Sequence, residues 1–181
     1  EMLHAQTLIH DDLPCMDNDD FRRGKPTNHK VFGEANAVLA GDALLTFAPQ
    51  TILKYSNLPP ETLVKVFAEY FQAGGAYGVI AGQVVDIESE KGNVTGDKAY
   101  TLEYIHTHKT ADLFKLALRT GAVIAGASEE QINAITEFGQ KLGVAFQIAD
   151  DILDETSTFE EMGKTLGTDK AAGKLTYISL Y

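Results

Sequence analysis

Apolar residues recur at intervals of three and four along most of the chain, which is the spacing of one face of an α-helix. The pattern is clearest over residues 34–53, 61–75, 102–126 and 130–154, and the opening residues 1–10 read as a further helix. Breaks rich in glycine, proline and polar residues fall at 24–28, 56–60, 90–97, 126–129 and 167–174. Alternating apolar and polar residues form no run long enough to predict a strand. The sequence therefore predicts an all-α fold of about six helices joined by short loops.

Two local features refine this prediction. The order Ser128–Glu129–Glu130–Gln131 is that of a capping box, so the longest helix is expected to begin there. Small residues are scattered through the apolar helices, at Gly41, Gly74, Gly78, Gly82 and Gly143. They favour helices that pack on several sides or line a cavity, although close helix packing explains any single glycine equally well.

Composition limits the class of protein. The 181 residues are 44% hydrophobic, enough for one domain, 1–181, with a sizeable core. The net charge of -11 argues against a nucleic-acid partner, and no apolar run approaches the roughly 18 residues of a membrane span. The single cysteine, Cys15, excludes an internal disulfide. The chain begins without methionine and stops inside an apolar segment, so we expect it to be truncated at both ends.

The stretch "LIHDDLPCMDNDDFRRGKPTNHK" (8–30) contains five aspartates in ten residues, followed by two arginines and a lysine. Asp11 and Asp17 would lie about 120° apart on an unbroken helix. Pro14 prevents such a helix, and a loop at 13–16 could bring Asp17 back beside Asp11. Paired carboxylates beside arginines suit magnesium and a polyphosphate, since magnesium is held by one or two carboxylates together with phosphate oxygens.

A second acidic cluster, "QIADDILDE", lies in the last long helical segment. Asp150 and Asp154 are about 40° apart on a helical wheel, with Gln147 one turn earlier on the same side. An exposed acidic face would show the same pattern, so the cluster alone indicates metal binding only weakly. Later lysines could add phosphate contacts or be ordinary surface charges. No P-loop motif and no EF-hand order are present.

Two aspartate-rich motifs on an all-α scaffold resemble the trans-isoprenyl diphosphate synthases. The first motif is similar to the bacterial and plastid form, with four residues between the aspartate pair and the third aspartate. Four later blocks resemble the family in its order: "GQVVDIE" (82–88), "YIHTHKT" (104–110), "FQIADDILD" (146–154) and "GKTLGTDKAAGKLTY" (163–177). The resemblance implies the isoprenoid synthase fold, with antiparallel helices around a central apolar cavity. It implies condensation of isopentenyl diphosphate with an allylic diphosphate (dimethylallyl, geranyl or farnesyl).

The resemblance also implies a role for each motif residue. Asp11, Asp17 and Asp150 would hold three Mg2+ ions, and Asp12, Asp151 and Asp154 would bind them through water. Arg22, Lys109, Lys164 and Lys174 would contact the allylic diphosphate, and His4 and Arg23 would contact isopentenyl diphosphate. Thr110 and Gln147 would lie near the reacting carbon, with Gln83 and Asp86 in support. Catalysis would rest on Asp11, Asp12, Asp17, Lys109, Thr110, Gln147 and Asp150.

The helical wheel places His4, Thr7, Leu8 and Asp11 on one face of the first helix. In the resembling family, the residues four and five before the first aspartate limit the product's length, and here they are Thr7 and Gln6. Neither is aromatic, which favours a twenty-carbon product, geranylgeranyl diphosphate, over the fifteen-carbon farnesyl diphosphate.

Other functions remain to be weighed. The alternatives are a farnesyl diphosphate synthase, a terpene cyclase and a noncatalytic subunit of a heteromeric synthase. The plain "DDILD" disfavours a cyclase, and two intact motifs disfavour a regulatory subunit. The family's upstream isopentenyl-diphosphate block is missing from this sequence, and Thr168 and Ile178 depart from common family residues. The resemblance implies a homodimer, with segment 34–54 as a candidate interface, although a buried core helix would show the same pattern. The expected compartment is the cytoplasm or, in a eukaryote, a plastid.

Overall fold

Helices make up most of the chain in the computed structural model, which describes residues 1–163 and 173–181. The helices in chain order are α1 (Met2–Asp11), α2 (Asn28–Phe32), α3 (Glu34–Tyr55), α4 (Pro60–Gly74), α5 (Val79–Glu90), α6 (Lys98–Ile105), a π-helix (His106–Ala111), α7 (Asp112–Ile124), α8 (Glu129–Thr156), α9 (Phe159–Met162) and α10 (Tyr177–Leu180). The all-α prediction is confirmed. The estimate of about six helices was too low, because the short helices carry too few residues to show a period.

The structure also contains a small hairpin that the sequence did not predict. Strands β1 (Phe21–Arg22) and β2 (Lys25–Pro26) pair antiparallel, with Arg22 opposite Lys25. The two residues between them, Arg23 and Gly24, have φ angles of +53° and +74°. Positive φ at both loop positions is the requirement of a type I′ turn, whose twist matches that of the strands. Strands of two residues are too short to show alternation in a sequence.

The described residues form two compact units, and the prediction of a single domain over 1–181 stays a prediction. The first unit comprises residues 1–57 and 153–163 and is built on the packing of α1 against α3. His10 occupies the space left by Gly41, where an added Cβ would collide with its ring. The Nε2–H of His10 donates to the Val38 carbonyl (3.0 Å), and Nδ1 therefore accepts from the Gln6 amide (3.1 Å).

The second unit comprises residues 58–152 and 173–181, and in it α4 packs on α7 while α5 packs on the π-helix. The guanidinium of Arg119 on α7 donates to both carboxylate oxygens of Glu69 on α4, at 2.7 and 2.6 Å. It also donates to the Thr136 hydroxyl on α8 at 2.5 Å. One side chain thus links three helices of this unit.

Two helices begin with side-chain caps. Before α8, the Gln131 amide oxygen accepts from Ser128 N–H (2.9 Å) and the Ser128 hydroxyl accepts from Gln131 N–H (3.3 Å). The predicted capping box is confirmed. Before α6, the Asp97 carboxylate accepts from Ala99 N–H at 2.8 Å. Throughout the described ranges, none of the helices has the length and apolar character needed to span a membrane.

Candidate active site

The first aspartate motif lies where α1 ends. The helix stops at Asp11, residues 12–17 form consecutive turns around Pro14, and the Asp17 N–H donates to the Asp11 carbonyl at 2.9 Å. Proline cannot donate the hydrogen bond that would continue the helix. The chain therefore turns back as predicted, and Asp17 is brought next to Asp11.

Arg22 is surrounded by carboxylates of this motif. Its Nη2 lies 2.6 Å from Asp12 Oδ1, and its Nε donates to both oxygens of Asp12 at 2.8 and 3.0 Å. Asp19 and Asp11 are also near, at 3.7 and 3.9 Å from Nη2. Burial works against the guanidinium, but the hydrogen bond and charge of Asp12 outweigh it and raise the pKa of Arg22. For Asp12 burial has the opposite effect: it disfavours the charged carboxylate and raises the pKa of Asp12, although the hydrogen bond and charge of Arg22 oppose this.

Arg23 and His4 lie close enough to influence each other. Burial lowers the pKa of the half-buried His4, and the positive charge of Arg23 lowers it further. A residue outside the hairpin stabilises the turn that carries Arg23, because Gly24 N–H donates a hydrogen bond to the Gly163 carbonyl at 2.7 Å. His4 and Arg23, both predicted to bind isopentenyl diphosphate, therefore belong to one neighbourhood of the first unit.

The second unit presents Lys109 and Thr110 on the π-helix. A single π-helical turn inside an α-helix often marks a functional site. Two glycines of neighbouring helices pack directly against this π-helix. A Cβ added to Gly82 of α5 would collide with the Lys109 backbone, and one added to Gly143 of α8 would collide with Ala111. The π-helical residues are thus held close to the backbones of two neighbouring helices.

A chain of hydrogen bonds starts at Thr110. The Thr110 hydroxyl donates to Gln147 Oε1 at 2.7 Å, and Gln147 Nε2 donates to Asp151 Oδ1 at 3.0 Å. The other oxygen of Asp151 accepts from the Tyr177 N–H at 2.7 Å and lies 3.3 Å from His106 Nε2. Burial alone would raise the pKa of Asp151, but these hydrogen bonds lower it instead.

The remaining predicted cations are placed beside carboxylates or lie outside the described residues. Lys109 Nζ is 2.7 Å from Asp86 Oδ2, and Lys174 Nζ is 3.7 Å from Glu90 Oε1. Lys164 is outside the described residues, as is Thr168. Gln83, which was expected to support the site, is half-buried on α5, and Asp86 is buried there.

The carboxylates at the end of α8 have different environments. Asp150 is half-buried in the second unit, and Asp154 is buried in the first. Within residues 1–163 and 173–181, histidine, cysteine, aspartate and glutamate side chains form no group of three or more that could hold a metal ion. Magnesium keeps several waters and takes oxygens from a bound phosphate, so paired carboxylates such as Asp11 and Asp17 fit its needs.

Three contacts were not foreseen from the sequence. The sequence predicts no role for His106 within "YIHTHKT" and no particular ion pair for Asp19, and the Tyr177 N–H is a backbone group. The spacing of Asp19 and Arg22, three residues apart, was a usable signal for an ion pair. Nothing in the sequence could indicate that residues 173–181 return to Asp151.

The helical fold and its paired carboxylates define a protein of the isoprenoid synthase class. A family model described as polyprenyl synthetase matches residues 1–181, and the chain belongs to that family. It is 50% identical to geranylgeranyl pyrophosphate synthase 7, chloroplastic, of Arabidopsis thaliana, covering 99% of this chain and 52% of that relative. It is 48% identical to a farnesyl diphosphate synthase of Geobacillus stearothermophilus, covering 99% of this chain and 60% of that relative.

Solved structures agree. A geranyltransferase from Helicobacter pylori, complexed with magnesium and isoprenyl diphosphate, superposes with a TM-score of 0.88 at 38% identity, over 98% of this chain and 57% of that one. A Caulobacter crescentus polyprenyl synthase complexed with calcium and isoprenyl diphosphate gives 0.84 at 34% identity, over 97% of this chain and 50% of that one. These matches confirm the predicted fold class. The chain spans about half the length of the curated relatives it matches.

Proposed function

We propose that the whole protein condenses isopentenyl diphosphate with an allylic diphosphate in a magnesium-dependent reaction, releasing diphosphate and lengthening the chain by five carbons. The observation that carries the proposal is the turn after α1, which returns Asp17 to Asp11 and places Arg22 within 4 Å of three motif carboxylates. Family membership and relatives named as prenyl diphosphate synthases support it.

The carboxylates of the two aspartate motifs would bind the diphosphates through Mg2+, with Arg22 in direct contact. Asp11 and Asp17 would hold Mg2+ directly, together with Asp150, and Asp12 and Asp154 would reach it through water, with three ions in all. Bound magnesium would neutralise charge on the diphosphate oxygens as the carbon–oxygen bond breaks. Arg22 would exchange part of its contact with Asp12 for phosphate oxygens, since a guanidinium binds either in the same two-pronged way.

Side chains of the second unit would act at the reacting carbon. With its proton donated to Gln147, the Thr110 hydroxyl has only lone pairs left to present. The negative end of that dipole suits a carbon that becomes positive as diphosphate departs. Lys109, and by resemblance Lys164 and Lys174, would supply fixed positive charge to the leaving group.

The product proposed is geranylgeranyl diphosphate, with farnesyl diphosphate as the alternative. Thr7 and Gln6 are not aromatic and would leave room for a longer chain; the Thr7 hydroxyl is bonded to the His4 carbonyl and the Gln6 amide to His10. The similarity to known proteins does not choose between the products, because synthases of both names match at about 50% identity.

The experiment uses the full-length protein with Mg2+, labelled isopentenyl diphosphate and either geranyl or farnesyl diphosphate, followed by chromatography of the dephosphorylated products. A twenty-carbon alcohol that disappears with EDTA is expected. A fifteen-carbon alcohol as the final product would establish the farnesyl alternative. No incorporation would contradict the proposal and favour a noncatalytic subunit.

We also propose a homodimer formed through α3. This helix leaves several large apolar side chains at least half exposed, namely Leu39, Phe47 and Leu53. Sedimentation of the full-length protein at micromolar concentration is expected to give twice the chain mass, and a monomer would contradict this. The cytoplasm, or a plastid in a eukaryote, is the proposed compartment, and several matched plant relatives are named chloroplastic.

A further inference from the structure

Asp151 has a different environment from its neighbour Asp150. It is only 4% exposed, and both of its oxygens are used by donors of the same unit. Oδ1 accepts from Gln147 Nε2 (3.0 Å), and Oδ2 accepts from the Tyr177 N–H (2.7 Å) and faces His106 Nε2 (3.3 Å). All three of these nitrogen groups are hydrogen-bond donors to the carboxylate. The arrangement is that of a carboxylate used to orient its neighbours.

The direction of the hydrogen bonds follows from Asp151. An ionised carboxylate can only accept, so it requires the NH2 end of the Gln147 amide and turns Oε1 the other way. Oε1 can in turn only accept, and it takes the proton of the Thr110 hydroxyl at 2.7 Å. If the amide were reversed, Thr110 would have to accept, and its proton would point elsewhere.

We propose that Asp151, held by His106 and by the Tyr177 N–H, is a positioning residue that fixes the Gln147 amide and, through it, the direction in which the Thr110 hydroxyl presents its lone pairs. The inference rests on the proposed function, because it assigns a purpose to that orientation at the reacting carbon. It replaces the water-mediated metal role that the resemblance implied for Asp151.

His106 is the second support of this arrangement. Its side chain is buried with 4% of its surface exposed, and it lies at the first position of the π-helix that carries Thr110 four residues later. The donor that steadies Asp151 and the hydroxyl that Asp151 orients therefore belong to one backbone segment. Gly82 and Gly143 fix that segment against α5 and α8.

The test measures two quantities on the full-length protein: turnover with saturating substrates, and binding of inorganic diphosphate with Mg2+ by calorimetry. We expect Asp151→Asn to lower kcat about 10- to 100-fold while the diphosphate affinity stays within about twofold of the wild type. Asp150→Asn, which alters a predicted direct metal ligand, should weaken diphosphate binding. Weakened binding in Asp151→Asn as well would show that Asp151 serves the metal, and would overturn the inference.

A second comparison separates positioning from loss of stability. In a Thr110→Val background there is no hydroxyl to orient, so Asp151→Asn should reduce kcat by less than about threefold. An equal loss in both backgrounds would overturn the inference. Glu69→Gln, which breaks a partly buried ion pair away from these residues, is the matched control and should lower the melting temperature without the loss of kcat.

His106→Phe keeps a planar ring without a donor and serves if Asp151→Asn does not fold. We expect the same signature, a lower kcat with unchanged diphosphate binding, and an unchanged kcat would contradict the role given to His106. A wild-type protein that elongates no substrate would overturn the proposed function. A wild type that elongates normally beside variants without this signature would overturn the inference alone.

Discussion

Arg22 and Arg23 are neighbours in the sequence, but the fold uses them differently. Arg22 is partly buried in β1 and bonded to Asp12, whereas Arg23 is exposed at the tip of the hairpin with φ at +53°. A non-glycine residue in the left-handed region costs roughly 1–2 kcal/mol. Residues in such strained backbone conformations cluster at functional sites. The backbone of Arg23 thus supports the substrate role proposed for it.

Replacing Arg23 should separate stability from binding. Arg23→Gly removes the side chain that is strained at positive φ, so the free energy of unfolding should stay the same or rise by up to about 1 kcal/mol. The KM for isopentenyl diphosphate should rise, because the proposed phosphate contact is lost. Arg23→Lys is the control: it keeps the charge and the strain and should retain more of the affinity. An unchanged KM in Arg23→Gly would contradict the assigned role.

His4 should make stability depend on pH. Its pKa is lowered in the folded state by burial and by Arg23, from an ordinary value of about 6.5. Between the lowered and the ordinary pKa the unfolded chain binds more protons, so stability is lost as the pH falls below about 6.5. Denaturant unfolding at pH 7.5 and 5.5 should show a smaller difference for His4→Gln than for the wild type. An equal difference would show that His4 does not titrate in this way.

Among the elements, the π-helix is the one that positions Lys109 and Thr110. It interrupts what would otherwise be one long helix from Lys98 to Ile124, and it lies against two helices whose glycines permit the approach. Gly82 and Gly143 are thus requirements of packing. Gly121, on the neighbouring α7, has nothing within 4 Å of an added Cβ.

Alanine at the packed glycines should therefore be costly. Gly82→Ala and Gly143→Ala should each lower the free energy of unfolding by about 1–3 kcal/mol, because the new methyl group meets backbone that cannot move aside. Both should also reduce turnover, since Lys109 and Thr110 lie on the displaced segment. Gly121→Ala is the matched control and should be neutral or slightly stabilising, as alanine is the better helix former. Thermal unfolding and initial rates decide, and equal effects at all three positions would contradict this account.

The contact between α4, α7 and α8 offers a second test. Arg119→Met should lower the free energy of unfolding by about 1–2 kcal/mol, because Glu69 and Thr136 lose a shared partner that is only partly exposed. Arg119→Lys should restore less than half of this loss, since an ammonium cannot reproduce the two-pronged contact. Denaturant unfolding measures both, and full restoration by lysine would show that charge alone matters.

Some elements of the structure could be predicted from the sequence and others could not. Helices α3, α4 and α8 were predicted within two residues of their ends, because their apolar period is long, the break at 56–60 precedes α4 and Ser128 marks the start of α8. The turn at Pro14 was predicted for the right reason. The π-helix was not, since it depends on contacts with Gly82 and Gly143 that lie far away in the sequence. The partners of Asp151 were missed for the same reason.

The two aspartate motifs lie in different parts of the chain. The first follows α1 and the second ends α8, and the described residues form two units. The chain also spans only about half of its curated relatives. We propose that both motifs serve one magnesium-dependent condensation in the complete protein.

The measurement that tests this claim most directly is the rate of isopentenyl diphosphate incorporation by the full-length wild type, Asp11→Ala and Asp150→Ala at saturating Mg2+. Removing either carboxylate should lower the rate by at least about 10²-fold, because each contributes to stabilising the charge of the departing diphosphate. Melting temperatures near that of the wild type would show that the variants remain folded. A folded variant of either motif that retains the wild-type rate would contradict the claim that both serve the same reaction.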